Sequence, residues 1–179
     1  MKRIESEYVF VLTNPGAEKA LKLEVEMMKS GWRLSYQRRG FVTFKTDSAF
    51  SLESLDVELA CARRTCVSLG KLTTKEEAEQ RIIESLGQRD SPKIHHARFH
   101  ERKMQGVRNA RDDVRPEAGE VIGTVVELGP NEFWAGVHVH RACLSPDPAG
   151  DSGIAMPAES PSRAWLKLEE AVRFFDLKF

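Results

Sequence analysis

The chain has 179 residues, of which 41% are hydrophobic and 30% are charged, and its 27 basic residues are balanced by 27 acidic ones. This composition fits a soluble globular protein with one large core or two small ones. The sequence has no apolar run of about 18 residues, which excludes a transmembrane helix, and no secretory signal at its N-terminus. Three cysteines, Cys61, Cys66 and Cys143, form no C-x-x-C pair, which favours reduced thiols and a cytoplasmic location.

Residues 1–71 form the first predicted unit, with the element order β-α-β-β-α-β. Predicted strands lie at 8–13, 32–37, 41–46 and 61–69, and predicted helices lie at 17–30 and 52–59. The strands are mostly β-branched and aromatic runs, and Arg38-Arg39-Gly40 is a hairpin turn. This order is that of the ferredoxin-like split βαβ motif, so an α+β fold is expected.

Residues 72–142 form the second predicted unit, an α/β domain. Thr73-Thr74 followed by acidic residues indicates the start of a helix that ends at Gly87. The next elements are a strand, a polar irregular segment and a hairpin of two strands, at 94–100, 101–119, 120–128 and 133–141. Residues 143–160 contain many turn residues and predict a linker.

Residues 161–179 predict a last helix. Ser160 is suited to cap it and Pro161 to occupy its first position, where a missing N–H costs nothing. Apolar residues at helical spacing form one face of this helix, namely Trp165, Leu168, Val172 and Phe175. A face of this size near the end of the given sequence is expected to pack on the preceding chain, on a further domain or on a partner.

The segment 81–115 has an excess of basic residues. Its best candidates for contact with RNA phosphates are Arg102, Lys103, Arg108 and Arg111. A solvated surface loop explains the same residues equally well. A second basic and aromatic group is suited to RNA bases, although Trp32 is more typical of a core residue; its members are Trp32, Arg33, Tyr36, Arg38 and Arg39.

The sequence indicates neither a metal site nor a cofactor site. The five histidines have no shared ligand spacing and no cysteine nearby, so no zinc site is expected. No two glycines are spaced as G-x-G, and a Rossmann-type site needs such a glycine turn after a strand. No cofactor is therefore expected to bind this chain alone.

The segment Pro161–Ala171 resembles the S-R-x-x-x-K-L-x-E segment that opens the methyltransferase domain of FtsJ-like ribosomal RNA 2′-O-methyltransferases. The upstream chain resembles the RlmM type of this family. The strand and P-G-x-E turn at 8–18 resemble the beginning of such proteins. Phe133-Trp134-Ala135-Gly136-Val137 and Met156-Pro157 resemble the late strand of a THUMP domain and the linker that follows it.

The resemblance implies a ferredoxin-like domain at 1–71, a THUMP-like RNA-binding domain at 72–142, a linker at 143–160 and, from 161, the first helix of a Rossmann-like methyltransferase domain. It implies that Lys167 is the first member of a Lys-Asp-Lys-Glu catalytic tetrad and that Arg163 contacts RNA. The other tetrad residues and the S-adenosylmethionine glycines of the family lie downstream of this segment.

The expected function is therefore the RNA-binding, substrate-presenting part of a ribosomal RNA 2′-O-methyltransferase. Ribosomal RNA is the expected partner, and S-adenosylmethionine would bind a C-terminal domain that is supplied separately or has been deleted. The alternative is a free-standing, non-catalytic module that binds RNA or another protein.

Overall fold

The computed structural model describes residues 4–55, 57–87, 92–100, 103–107, 115–160, 162, 164–175 and 177, with the backbone alone at 103 and 104. These residues form a mixed α/β structure with one eight-stranded sheet and three α-helices. The strands are β1 Glu5–Thr13, β2 Arg33–Arg38, β3 Phe41–Ser51, β4 Ala62–Leu72, β5 Ile94–His100, β6 Lys103–Val107, β7 Val121–Gly129 and β8 Glu132–Val139. The helices are α1 Glu18–Met27, α2 Lys75–Leu86 and α3 Ala164–Phe174, and 3-10 turns lie at Leu52–Ser54 and Pro148–Gly150.

The sheet is continuous, with the strand order β2-β3-β1-β4-β8-β7-β5-β6. Neighbouring strands are antiparallel except β5 and β7, which are parallel. Strand β4 joins the two halves, because residues up to Val67 pair with β1 and residues from Val67 to Leu72 pair with β8. The predicted units 1–71 and 72–142 therefore share one sheet, and their division into separate domains stays a prediction.

Helices α1 and α2 cover one face of this sheet. Helix α1 buries Leu21 and Val25, and α2 buries Ala78, Ile82 and Leu86, whose spacing gives that helix a single buried side. The start of α2 is closed by a reciprocal capping box, in which Thr74 Oγ1 accepts from the Glu77 N–H at 3.2 Å and the Glu77 carboxylate accepts from the Thr74 N–H at 3.2 Å. The helix start predicted at Thr73-Thr74 is confirmed. No described helix is both long and apolar enough to cross a membrane.

The opposite face of the sheet is strongly curved and encloses a second core. Phe41 of β3 meets Phe10 of β1 and Trp134 of β8, with ring centroids 5.3 Å and 5.2 Å apart. Because neighbouring strands are about 4.8 Å apart, side chains of β3 and β8 can meet only if the sheet curls. No described helix contributes to this core. The buried Ala149, in the turn Pro148–Gly150, covers part of it instead.

The helix predicted at 52–59 is wrong. Among the described residues of this segment, only the 3-10 turn Leu52–Ser54 forms, with a capping box between Ser51 and Ser54. Leu52 packs in the core beneath α2, whereas Leu59 packs in the core beneath α1. Because one short helix does not reach both cores, the chain leaves the helical conformation after Ser54 and continues without regular structure.

The segment predicted to be irregular at 101–119 contains a strand, β6. It forms the edge of the sheet and pairs with β5, where Gly106 lies opposite Ala97. The sequence of β6, KMQGV, has a glycine and a single β-branched residue, so its strand propensity is weak. Pairing with the exposed edge of β5 therefore determines the conformation of β6 more than its own residues do. Residues 108–114 lie outside the described part of the chain.

Candidate nucleic-acid interface

Most of the RNA-binding residues that the sequence predicts lie outside the described part of the chain. These are Arg102, Arg108, Arg111 and Arg163. Of Lys103 the structure describes only the backbone, at the start of β6. The contact of these five residues with RNA stays a prediction.

The predicted catalytic residue, Lys167, is exposed on α3. This helix begins at Ala164, whose N–H donates to Ser162 Oγ at 3.2 Å. The prediction that Ser160 caps this helix is wrong. A capping side chain accepts from the first helical N–H groups, and the side chain that does so here is that of Ser162. The Ser160 hydroxyl donates instead to the carbonyl oxygen of Ser162, at 3.0 Å.

The apolar face predicted for the last helix is only partly covered. Trp165 and Val172 are half-buried, whereas Leu168 is 61% and Phe175 is 67% exposed. The helix approaches the rest of the chain through Glu170, Arg173 and Phe174, which line a cavity of about 250 Å³ together with residues of the segment 140–152. The preceding chain thus covers only part of this face.

A group of exposed cations and half-buried aromatic side chains lies where β2 curls towards β8. We refer to it as the β2–β8 cluster; its members are Tyr36, Arg38, Lys71, Glu132 and Trp134. The Tyr36 ring stacks on the Trp134 ring, with centroids 5.4 Å apart and 29° between the planes. Arg38 Cζ lies 5.7 Å and Lys71 Nζ lies 5.6 Å from the Tyr36 centroid, within the range of cation–π attraction.

Strand register places these side chains on one face of the sheet. Tyr36 and Arg38 are two residues apart on β2, so both point to the concave face. Lys71 of β4 pairs with Trp134 of β8 and points to the same face. The curl of the sheet then brings the two pairs together.

One carboxylate, that of Glu132, organises the charges of the β2–β8 cluster. It accepts a short hydrogen bond from the Tyr36 hydroxyl, and its oxygens lie 3.3 Å from Lys71 Nζ and 3.5 Å from Arg38 Nη2. Burial opposes the ionisation of Glu132, but the hydrogen bonds from Tyr36 and Lys71 outweigh it and hold the pKa of Glu132 below its usual value. Burial, together with the bond to Glu132, raises the pKa of Tyr36. Glu132 is therefore ionised and Tyr36 is neutral at physiological pH.

Two further cations lie on the same face and are also exposed. Arg33 forms an ion pair with Asp47 at 3.3 Å, and its side chain is 69% exposed. Lys45 forms an ion pair with Glu7 at 3.4 Å and lies over the Tyr8 ring, 5.6 Å from its centroid. Exposed ion pairs of this kind contribute little to stability, about 0 to 1 kcal/mol. Their cations can therefore exchange a carboxylate partner for another anion at low cost.

The sequence predicts only part of this site. Arg33, Tyr36 and Arg38 belong to the basic and aromatic group of the sequence, and the interpretation of Trp32 as a core residue agrees with its packing on Phe44 at 5.9 Å between ring centroids. Lys71, Glu132 and Trp134 were not predicted as site residues. Their proximity to β2 depends on the curl of the sheet, for which no local sequence signal exists.

The five histidines lie on β5 and at the end of β8. Among the described residues, no group of three or more His, Cys, Asp or Glu side chains is suited to hold a metal ion. His96 faces α2 and pairs with Glu79, with Nε2 2.8 Å from the carboxylate, whereas His95 faces the concave side. Cys66 is fully buried, and burial raises the pKa of its thiol to about 12, so it is protonated and unreactive.

No protein-family model and no curated protein matches the chain. Among solved structures, a possible methylase from Clostridium difficile 630 aligns with 75% of this chain and 41% of its own length, at 14% identity and a TM-score of 0.45. The chain thus spans less than half the length of that protein. A similarity at this level carries no argument about activity.

Proposed function

We propose that the chain is the RNA-binding, substrate-presenting part of an S-adenosylmethionine-dependent ribosomal RNA 2′-O-methyltransferase. The observation that carries the proposal is the β2–β8 cluster, where the Tyr36 and Trp134 rings lie beside the exposed cations Arg38 and Lys71. Aromatic rings that stack bases and cations that contact phosphates are the two elements by which proteins hold single-stranded RNA.

The charges of this cluster favour binding of an anion without a large energetic cost. The side chains of Arg38 and Lys71 are 59% and 51% exposed and share the single carboxylate of Glu132. Two cations that share one carboxylate leave a local positive excess, which attracts the phosphate backbone. Arg33 and Lys45 extend this cationic face along β2 and β3.

The methyltransferase part of the proposal comes from the segment 161–171 and its resemblance to the family. Lys167 is exposed on α3, where it would help orient or deprotonate the 2′-hydroxyl of the target ribose. Leu168 and Phe175 would pack on a Rossmann-like domain that holds S-adenosylmethionine. In this proposal residues 1–71 are ferredoxin-like and residues 72–142 THUMP-like, and the antiparallel order β2-β3-β1-β4 is compatible with the first assignment.

The RNA-binding part is tested by fluorescence anisotropy with a labelled single-stranded RNA. The double variant Arg38→Gln, Lys71→Gln is expected to weaken binding about tenfold and to lower the slope of log K against log salt by about 1 to 2. The matched control is the double variant Lys19→Gln, Lys75→Gln. It removes two positive charges from α1 and α2, which lie on the other face of the sheet. Equal losses in both double variants would show that only the overall charge matters.

Base stacking is tested separately at Tyr36. Tyr36→Leu removes the ring and is expected to weaken RNA binding by about 1 to 3 kcal/mol. Tyr36→Phe keeps the ring and loses only the hydroxyl, which donates to Glu132 and accepts from Arg38 Nε. It should therefore bind RNA nearly as tightly as the wild type. RNA binding that is unchanged in Tyr36→Leu would contradict the proposed interface.

The catalytic part is tested on the chain together with the sequence that its gene encodes after Phe179. Transfer of a labelled methyl group from S-adenosylmethionine to ribosomal RNA is expected, and Lys167→Met should abolish it while RNA affinity is unchanged. Methyl transfer that persists in Lys167→Met would refute the assignment of this lysine. RNA binding without methyl transfer in the wild type would identify the alternative, a non-catalytic binding module.

A further inference from the structure

Arg64 is buried in the middle of the molecule with half of its guanidinium unused. It lies on β4, faces the concave side of the sheet, and is only 2% exposed. Its Nη2 donates to the carbonyl oxygens of Ser145 at 2.7 Å and Asp147 at 3.1 Å. Its Nε and Nη1 have no hydrogen-bond partner among the described residues, and it forms no ion pair with any of them.

An arrangement of this kind is unfavourable unless a ligand completes it. A buried cation with free donors costs several kcal/mol. The Asp147 carboxylate favours the charge of Arg64, but the effect of burial is larger. Burial lowers the pKa of Arg64 from its ordinary value, but a guanidinium stays protonated at any physiological pH. The unused N–H donors on Nε and Nη1 of this permanent cation can each bind an oxygen of a phosphate or carboxylate.

A cavity of about 450 Å³ has Arg64 among the residues that line it. It lies where β4 and β8 separate beyond the pair Val67–Val137, so Arg64 and His138 both line it. Much of the remaining wall is apolar, with Leu55, Leu59, Val139 and Leu144. A volume of this size is that of small-molecule sites, which combine an apolar wall with a few polar groups.

His138 supplies a further donor in the same wall. Its Nδ1 lies 3.2 Å from Thr124 Oγ1 and 3.8 Å from Cys66 Sγ, and both of these groups carry a proton that they can donate. A neutral imidazole whose Nδ1 accepts these bonds carries its own proton on Nε2. That Nε2 is buried and has no partner among the described residues.

Two more histidines, His95 and His140, lie near Arg64. Because they and His138 are neutral, Arg64 is the one charged side chain of these four. Burial and the nearby Arg64 charge lower the pKa of His95 to about 4, and the same causes lower the pKa values of His138 and His140. All three are therefore neutral near pH 7, and each leaves one ring nitrogen without a partner among the described residues.

We propose that this cavity binds a small organic molecule through an oxyanion, phosphate or carboxylate, which accepts from Arg64 and His138. The apolar part of the ligand lies against Leu55, Leu59, Val139 and Leu144. The site is separate from the β2–β8 cluster, and it does not depend on the proposed RNA-binding function. Its failure and the failure of RNA binding are measured in different assays.

The test is calorimetric titration of the wild-type chain with inorganic phosphate, phenyl phosphate and benzoate at constant ionic strength. Saturable binding of phenyl phosphate or benzoate, tighter than that of inorganic phosphate, is expected, and the tighter of the two organic probes identifies the head group. Arg64→Met should weaken binding about tenfold or more, and His138→Gln about threefold to tenfold. Absence of saturable binding to all three probes would overturn the proposal.

The matched control is Arg63→Gln, which removes a guanidinium from the same cavity wall. Arg63 donates to the carbonyl oxygen of Gly150 at 2.6 Å, so its replacement should change affinity by less than about twofold. A loss as large as that of Arg64→Met would show unspecific charge attraction and overturn the proposal.

A readout on the wild-type chain keeps the test decisive if the Arg64 variant does not fold. The five histidines are few enough for their imidazole ¹⁵N resonances to be assigned with single variants. Phenyl phosphate or benzoate should shift the resonances of His138 and leave those of the exposed His100 unchanged. Equal shifts of both, or none, would contradict the site.

Discussion

The β2–β8 cluster and the buried group around Arg64 both place an arginine beside aromatic rings, but they compensate its charge in opposite ways. Arg38 is exposed and shares the Glu132 carboxylate with Lys71. Arg64 is 2% exposed, and its bonded donors reach only backbone carbonyl oxygens. Water and a neighbouring carboxylate thus satisfy the first arginine. The charge of the second is favoured by Asp147, but burial opposes it more strongly.

This difference indicates what each region can do. In the exposed cluster the ion pairs are weak and exchangeable, so a polyanion can replace the carboxylate at little cost in stability. In the buried group each unused donor carries an uncompensated desolvation cost, so a ligand that fits recovers that cost on binding. We therefore expect substitutions at the surface to change binding with little change in folding, and changes in the buried group to affect both.

Both regions depend on the curl of the sheet, and the largest expected effect tests it. Gly136 of β8 lies against the Phe10 ring, and a Cβ at this position would collide with the ring and lie 2.8 Å from the Val67 carbonyl oxygen. Gly136→Ala is therefore expected to lower the free energy of unfolding by about 3 kcal/mol, since the core has no room for the methyl group. Urea denaturation measures the change.

Gly129→Ala is the matched control for this prediction. It lies at the other end of the same hairpin, where a Cβ would meet nothing closer than Glu132 Cβ at 3.9 Å. Its effect should stay below about 1 kcal/mol. If the two variants were equally stable, the close approach of β1 and β8 would be incorrect, and with it the geometry of both sites.

The two regions should also differ in how acid pH changes their contribution to stability. His95 and His138 are neutral in the folded chain, because burial and Arg64 lower their pKa values, that of His95 to about 4. The unfolded chain takes up protons at an ordinary histidine pKa of about 6.5. Below that pH the unfolded state binds more protons than the folded state, so stability falls as pH decreases. Two such residues should cost about 2 to 3 kcal/mol between pH 7.5 and pH 5.5.

The charged and titratable groups around these two histidines come from several strands and are Arg64, Cys66, Lys93, His96 and His140. His138→Gln should reduce the acid-induced loss by about 1.3 kcal/mol. Glu132 affects stability in a lower pH range. Because folding lowers its pKa, its contribution to stability is present above the ordinary carboxylate pKa and is lost as the pH falls through the lowered pKa. A stability that does not change between pH 7.5 and 5.5 would contradict the neutral buried histidines.

How much of the fold the sequence predicts follows from how local the signals are. The strands around Phe10 and Phe41, the start of α2 at Thr74 and the hairpin of β7 and β8 come from β-branched runs, caps and turns within a few residues. The prediction of a helix at 52–59 is wrong because Leu52 and Leu59 pack in two different cores, which the local sequence does not show. Strand β6 was missed for a similar reason, since pairing with β5 compensates for a weak sequence.

The candidate sites were harder to predict than the strands. Tyr36 and Arg38 stand out as a basic and aromatic pair in the sequence, but Lys71 and Glu132 reach them only through strand register and curl. Arg64 is a charged residue inside the predicted strand 61–69, and this signal went unused. A buried cation in a strand needs a partner, and asking for that partner would have led to the cavity.

The smallest effect is expected for Glu132→Gln, which should strengthen RNA binding rather than weaken it. Glu132→Gln removes the only carboxylate of the β2–β8 cluster and leaves Arg38 and Lys71 without their shared counter-charge. Because the amide still accepts a hydrogen bond from Tyr36, stability should fall by only about 1 kcal/mol. RNA affinity should rise about threefold, since one negative charge is removed next to two cations.

The control for this prediction is Glu127→Gln on β7. Glu127 pairs with Arg98 at 2.7 Å, so its replacement removes the same charge elsewhere. If Glu132→Gln bound RNA more weakly than this control, the carboxylate itself would be part of the interface, and the exchange of anions proposed for the exposed region would be wrong.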